Sequence, residues 1–285
     1  MSYSTETKAR GRAHVPRRSA TRAVATAAAL LMVLGAVGGC AQTSRRPAGS
    51  AVAEPAAGAG AQAAGSAGLP AFGSSVLSPN AAGKTVLVVG DSWAASMGRG
   101  MSEVAPASTT VVNAGIGGCG IMSPDASTTT AACLAWPNNW PRYMAEYRPD
   151  ATMLMVGFFD VSPQKLSGDT TAKDLTDPTH RTVFADHLKQ AIGVLTAGGT
   201  PLYLMDSATD VPAFQASAMA MNVTLREAAA QNPLVHLLDV RGQLCDDSGC
   251  PKVLDGINVY DPTRHPTLPA RGRLARWALD TMFPA

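Results

Sequence analysis

The chain has 285 residues, with 23 Lys/Arg against 21 Asp/Glu, 46% apolar side chains and only 15% charged ones. Six of the cations and one of the acids fall within residues 1–39, so the remainder is mildly acidic, with 17 positive against 20 negative side chains. That balance excludes the basic footprint of a nucleic-acid-binding protein.

A basic stretch containing Arg10, Arg17, Arg18 and Arg22 precedes an uncharged apolar run from Ala23 to Val37, and Gly38-Gly39-Cys40 follows. Basic, then apolar, then small residues is the layout of an export signal. The run is short of the roughly 20 residues that a membrane-spanning helix needs. Its small-small-Cys ending resembles a bacterial lipobox, which implies that Cys40 is acylated and becomes the mature N-terminus. Residues 1–39 are therefore expected to be a lipoprotein signal peptide, and the protein to sit on the outer face of the bacterial cell membrane. Residues 40–83 are Ala, Gly, Ser and Pro with scarcely a large apolar side chain, so they are expected to form a disordered tether. The folded domain is expected over residues 84–285, enough for one real core.

Within that domain, apolar runs alternate with helical patterns. Strands are expected at Thr85–Val89, Thr110–Asn113, Thr152–Val156, Leu202–Met205 and Val235–Leu238. These runs are apolar throughout instead of alternating, which implies cover on both faces, as in a parallel sheet. Helices are expected at Trp93–Val104, Pro137–Tyr147, Arg181–Thr196, Ala213–Ala230 and Leu268–Met282, with Gly198-Gly199 as the stop of the third. The alternation predicts a three-layer, doubly wound α/β/α domain with about five parallel strands, and places reactive residues at their carboxyl ends.

Beyond Cys40, four cysteines fall into two local groups, Cys119 with Cys133 and Cys245 with Cys250. An even number in loop-like sequence favours two local disulfides in an oxidising compartment. A metal site is the rival reading, but neither group has Cys-x-x-Cys spacing and no His lies close by in sequence.

Gly90-Asp91-Ser92 closes the first strand and opens the first helix, where free N–H groups and the helix dipole favour an anionic oxygen. A plain helix cap at Asp91 or Ser92 explains the same tripeptide. Asn113-Ala114-Gly115-Ile116-Gly117-Gly118-Cys119 ends the second strand, and its glycines suit backbone donors of an oxyanion hole or simply a tight loop. His265 precedes the last helix in Tyr260-Asp261-Pro262-Thr263-Arg264-His265-Pro266, with an acid upstream to orient it as a base. No phosphate-loop or dinucleotide glycine pattern is present, so no cofactor is expected. Asp169, Asp174 and Asp177 mark a polar loop after the third strand, read as lying over the site.

Together these segments resemble the SGNH, or GDSL-type, hydrolase family; the two cysteine pairs, Trp136 and Trp140 before the third strand, and the terminal helix after His265 also look like its domains attached to actinobacterial membrane acyltransferases. The resemblance implies a flavodoxin-like SGNH fold, with Ser92 as nucleophile, His265 as general base, Asp261 as its orienting acid, and the Ser92 and Gly118 amides as oxyanion donors. It implies an ester hydrolase acting on an acyl group, O-acetyl above all, of an envelope glycan or lipid, or an acyltransferase working with a membrane partner. Two departures stand out. Gly157-Phe158-Phe159-Asp160 places Phe159 where the family has an oxyanion asparagine, so Phe159 and Asp160 are expected in the substrate pocket. Asp261 precedes His265 by four residues, not three, which leaves Asp255 or a water as the alternative partner of the ring. A non-catalytic member that binds glycan or a partner protein is the alternative that these departures motivate.

Overall fold

The computed structural model describes Phe72, residues 79–122 and residues 130–285; the expected signal peptide, Cys40 and most of the tether lie outside the described residues. Five parallel strands form one sheet: β1 (Thr85–Gly90), β2 (Thr110–Gly115), β3 (Ala151–Met155), β4 (Leu202–Met205) and β5 (Val235–Leu238), in spatial order β2-β1-β3-β4-β5. The chain winds outward from β1 in both directions, so the reversal of strand order falls at β1. Gly90 is level with both Gly115 and Met155. The carboxyl ends of β1, β2 and β3 therefore share one rim.

Both faces of the sheet are covered, as the continuous apolar runs predict. Val86, Val88, Met153 and Met205 pack with α1 (Ser92–Val104) and, through the shared cluster, α8 (Leu268–Met282). Leu87, Val89, Leu154 and Leu204 point the other way, toward α3 (Trp136–Tyr147), α5 (Pro178–Leu195) and α6 (Pro212–Gln231). Alternate residues of each strand thus feed two separate cores. Truncating a fully buried member such as Phe184 costs about 3–5 kcal/mol.

Shorter elements are α2 (Ala131–Leu134), α4 (Phe158–Val161), α7 (Val240–Leu244) and an antiparallel pair, β6 (Val253–Leu254) and β7 (Ile257–Asn258). Side chains start the helices as sequence rules suggest: Asp177 accepts from Thr179 N (2.9 Å) and His180 N (3.2 Å) at α5, satisfying donors that a helix end leaves free. Cys119 is bonded to Cys133 and Cys245 to Cys250, which answers the metal alternative. The first bridge closes a 14-residue separation, worth about 3 kcal/mol by loop-closure entropy.

The folded unit begins before residue 84. Pro79–Ala81 form a 3₁₀ turn with Ala81 fully buried, and the Thr109 hydroxyl donates to the Ala81 carbonyl at 2.7 Å. Phe72 packs into the α1/α8 core, and the Arg273 guanidinium lies 5.2 Å above its ring. Phe72 is a single aromatic among mostly small residues, a signal that average composition conceals.

The polar segment after α4 is built down onto the domain. Gln164 and Lys173 exchange backbone hydrogen bonds, and Asp169 accepts from Leu166 N at 2.8 Å and pairs with the buried His180 at 2.7 Å.

Candidate functional site

At the end of β1 the backbone turns through Gly90 at φ 128°. A Cβ there would lie 1.8 Å from the Met155 carbonyl oxygen, so only glycine allows β1 and β3 to close up beneath the turn. Asp91 then points into the protein, fully buried, and its Oδ1 accepts from Trp93 N (2.8 Å) and Ala94 N (3.3 Å). Burial pushes its carboxyl up to about 7, against the pull of those two N–H groups and with a further push from Asp160. Asp91 is thus the helix cap, and the next residue, Ser92, is left half-buried at the start of α1 with its side chain on the rim.

Beside it runs the glycine segment after β2, held by Ile116 N donating to the Gly90 carbonyl at 2.8 Å. Gly118 adopts φ 81°, and its Cα faces the Phe159 ring so closely that an added Cβ would sit 3.6 Å from Cζ. The N–H groups of Ser92 and Gly118 have no hydrogen-bond partner among the described residues. Ser92 lines the cavity that His265 also lines, and Gly118 lines a neighbouring one that shares Phe158 and Phe159 with it.

His265 comes from the loop before α8. Tyr260 and Pro266 form a bridge across it, Asp261 N donates to the His265 carbonyl at 2.8 Å, and Arg264 takes φ 67° at the bend. The Trp93 indole N–H, one residue beyond Ser92, donates to the Arg264 carbonyl at 2.9 Å, and the Trp93 ring lies 6.1 Å from that of Tyr260. Trp93 therefore fastens the histidine loop to the serine's own helix. Only its adjacency to Ser92 offered a hint of this in the sequence.

The expected direct contact between Asp261 and the imidazole does not form. Asp261 Oδ1 accepts instead from Thr263 N (2.7 Å), the Thr263 hydroxyl (2.6 Å) and His265 N (3.1 Å). Its carboxyl is held below the usual range, first by the Thr263 hydroxyl and also by those backbone donors. The extra residue in the spacing lets the carboxylate close on its own loop, and the ring meets the Thr263 hydroxyl at 2.8 Å from Nδ1. Asp255 is also removed as a partner: it sits at φ 49° between β6 and β7 and pairs with Arg273 at 2.9 Å.

Ser92 and His265 line one cavity of about 240 Å³, with no hydrogen bond between them among the described residues. Catalytic hydrogen bonds often tighten only when substrate is bound. Phe158, Phe159, Met155 and Val161 supply apolar lining, and Ser207, Thr209 and Asp210 supply polar lining. Asn222 fixes that polar lining by exchanging two 2.9 Å hydrogen bonds with the Ser207 backbone, and Arg264 pairs with Asp210. A second cavity, of about 550 Å³, lies beyond Phe158 and Phe159 and is bounded by Gly117, Gly118 and Gln164.

Phe159 is where the sequence places it, on the cavity wall, but Asp160 is not. Its carboxylate turns inward, fully buried, and accepts from Ile121 N (3.0 Å) and Met122 N (3.0 Å). Burial raises it to about 6, against the pull of those two N–H groups. Within the single turn of α4, neighbouring side chains point in different directions, so Phe159 can face the cavity only while Asp160 faces the core. Asp160 anchors the glycine loop and does not line the cavity.

A doubly wound α/β sheet carries a half-buried serine at its first strand–helix turn and, lining the same cavity, a histidine before its last helix. The chain belongs to the SGNH family: the description "SGNH domain (fused to AT3 domains)" matches residues 60–277. Among solved structures it is similar to the periplasmic domain of a Salmonella Paratyphi A lipopolysaccharide acetyltransferase, at 12% identity over 70% of this chain and 83% of that one (TM-score 0.48). It is similar as well to a G-D-S-L family lipolytic protein from Veillonella parvula, at 18% identity over 70% and 99% (TM-score 0.46). A variant of an acetyl-xylooligosaccharide esterase from Geobacillus matches at 16% identity over 70% and 94% (TM-score 0.46). No curated protein matched in sequence.

Proposed function

We propose that this SGNH domain cleaves or transfers a short acyl group, acetyl above all, carried as an ester on a cell-envelope glycan or lipid. The observation that carries the reading is that Ser92 and His265, 173 positions apart in sequence, line one small cavity. In the proposed reaction, the Ser92 Oγ–H proton passes to His265 Nε2 as Oγ bonds the ester carbon. The Ser92 and Gly118 N–H groups receive the oxyanion. Collapse breaks the bond to the sugar oxygen, which takes the proton from His265, and leaves acyl-Ser92. Water then gives hydrolysis, or a second sugar hydroxyl gives transfer.

The volume favours a short acyl chain, since about 240 Å³ is below the 300–1,000 Å³ typical of drug-sized ligand pockets. Phe159 fills the space of the family's asparagine, and such a loss lowers the rate by about 10²–10³, leaving the backbone donors in charge of the oxyanion. The family's fusion to AT3 domains supports a membrane acyltransferase as partner, and acylated Cys40 would hold the domain at the outer face of the membrane. Incubating the chain with an acetyl ester, with and without a sugar acceptor, tests the proposal. Acetate or acetyl-sugar forms with the intact chain and neither forms with Ser92→Ala. Equal product from both would refute it, and product from neither would favour the non-catalytic binder that Phe159 suggests.

A further inference from the structure

Thr263 stands midway between Asp261 and His265 and fills the gap that their four-residue spacing opens. Its hydroxyl oxygen is 2.6 Å from Asp261 Oδ1 and 2.8 Å from His265 Nδ1. A threonine hydroxyl has one proton to give and two lone pairs to receive with. An ionised carboxylate only accepts, and a hydroxyl-to-carboxylate bond is the stronger of the two available. The Thr263 proton therefore points at Asp261, and its oxygen offers Nδ1 nothing but lone pairs. Nδ1 must then carry the ring proton, which leaves Nε2 bare.

We propose that Thr263 is a positioning residue of this site, relaying the Asp261 charge to the imidazole and fixing the tautomer in which His265 Nε2 is free to take a proton. The inference rests on the serine–histidine reading above and adds the residue that makes it work with a displaced acid. When Ser92 attacks, its Oγ–H bond breaks and an Nε2–H bond forms. The Nδ1–H bond stays intact, and the new imidazolium faces a hydroxyl oxygen polarised by Asp261. No proton travels along the relay, as none needs to when an acid only orients and stabilises the ring.

The loop holds these three groups in place by itself. Asp261 Oδ1 also accepts from Thr263 N and His265 N, which sets the threonine and histidine side chains on one side of the bend. Arg264 at φ 67° makes that bend, and Trp93 clamps its carbonyl. Thr263 is itself exposed, so replacing it disturbs little packing.

The test uses the purified full-length chain with ¹⁵N-labelled histidine, and His265→Gln to assign the His265 signals. Long-range ¹⁵N–¹H spectra of the parent should show His265 protonated at Nδ1 and bare at Nε2. Thr263→Val should lose that tautomer preference, while Thr263→Ser, which restores the hydroxyl, should keep it. Ester turnover should fall roughly 10- to 100-fold in Thr263→Val and recover in Thr263→Ser, a smaller loss than the roughly 10²–10⁴-fold attached to a general base itself. The same tautomer in parent and Thr263→Val overturns the relay. Normal turnover in Thr263→Val, with turnover abolished by Ser92→Ala, rejects Thr263 while leaving the serine reading intact. If the parent shows no turnover, the serine reading fails and the spectra alone decide the relay.

Discussion

The serine turn and the histidine loop meet at one rim but are held by different physics. Around Ser92, position is set by the core: Gly90 lies against β3 with no room for a side chain, and Asp91 is fully buried beneath. Around His265, position is set by polar contacts on an exposed bend, with Asp261 Oδ1 as their hub and the Trp93 indole and Asp210 as ties to the rest of the domain. Ser92 is therefore fixed by packing that any loss of fold would destroy, whereas His265 is fixed by hydrogen bonds that single side chains can remove without unfolding the domain.

The buried acids give the first and largest way to break this contrast. Burial raises Asp91 and Asp206 to about 7 and Asp160 to about 6, from an ordinary 3.8. Between those limits the folded state keeps protons that the unfolded state releases, so stability falls as pH rises from about 4 and levels off above about 7. Each raised carboxyl should contribute on the order of a few kcal/mol to that loss, measured as a falling urea midpoint. Asp91→Asn keeps the acceptor for Trp93 N and should flatten part of that slope. A midpoint that rises over the same range would show these carboxyls to be ionised in the fold. Asp169, Asp177, Asp246 and Asp261, held below 3.8 mainly by hydrogen bonds, add stability that is lost only at more acid pH, so they do not mask the effect.

A smaller effect is expected on the loop side. Trp93→Phe keeps an aromatic ring beside Tyr260 but removes the N–H that holds the Arg264 carbonyl. The fold should lose only about 0.5–1.5 kcal/mol, yet ester turnover should drop several-fold because the histidine is no longer tied to the serine helix. Unchanged turnover with the stability loss present would show that the loop holds its shape unaided.

The same division explains what the sequence revealed. All five strands and the five long helices were legible because apolar runs bounded by Gly, Pro and Asp report burial directly, and Leu202–Met205, Val235–Leu238 and Leu268–Met282 match to the residue. Ser92 was legible for the same reason, at a glycine turn where a strand becomes a helix. The histidine's surroundings were not: an offset of one residue moves Asp261 from the ring to its own loop, and only coordinates show Thr263 in the gap. Asp160 was misplaced because a short helix turns adjacent side chains to different faces. Phe72 was missed because one aromatic hardly alters the composition of the segment that bears it.

In the proposed reaction Ser92 is a nucleophile activated by His265. The most direct test of that claim is the rate at which a fluorophosphonate labels the chain, with the modified residue located by mass spectrometry. Labelling should fall on Ser92, vanish in Ser92→Ala, and slow by roughly 10²–10⁴-fold in His265→Gln. Labelling of Ser92 at the same rate with and without His265 would contradict it.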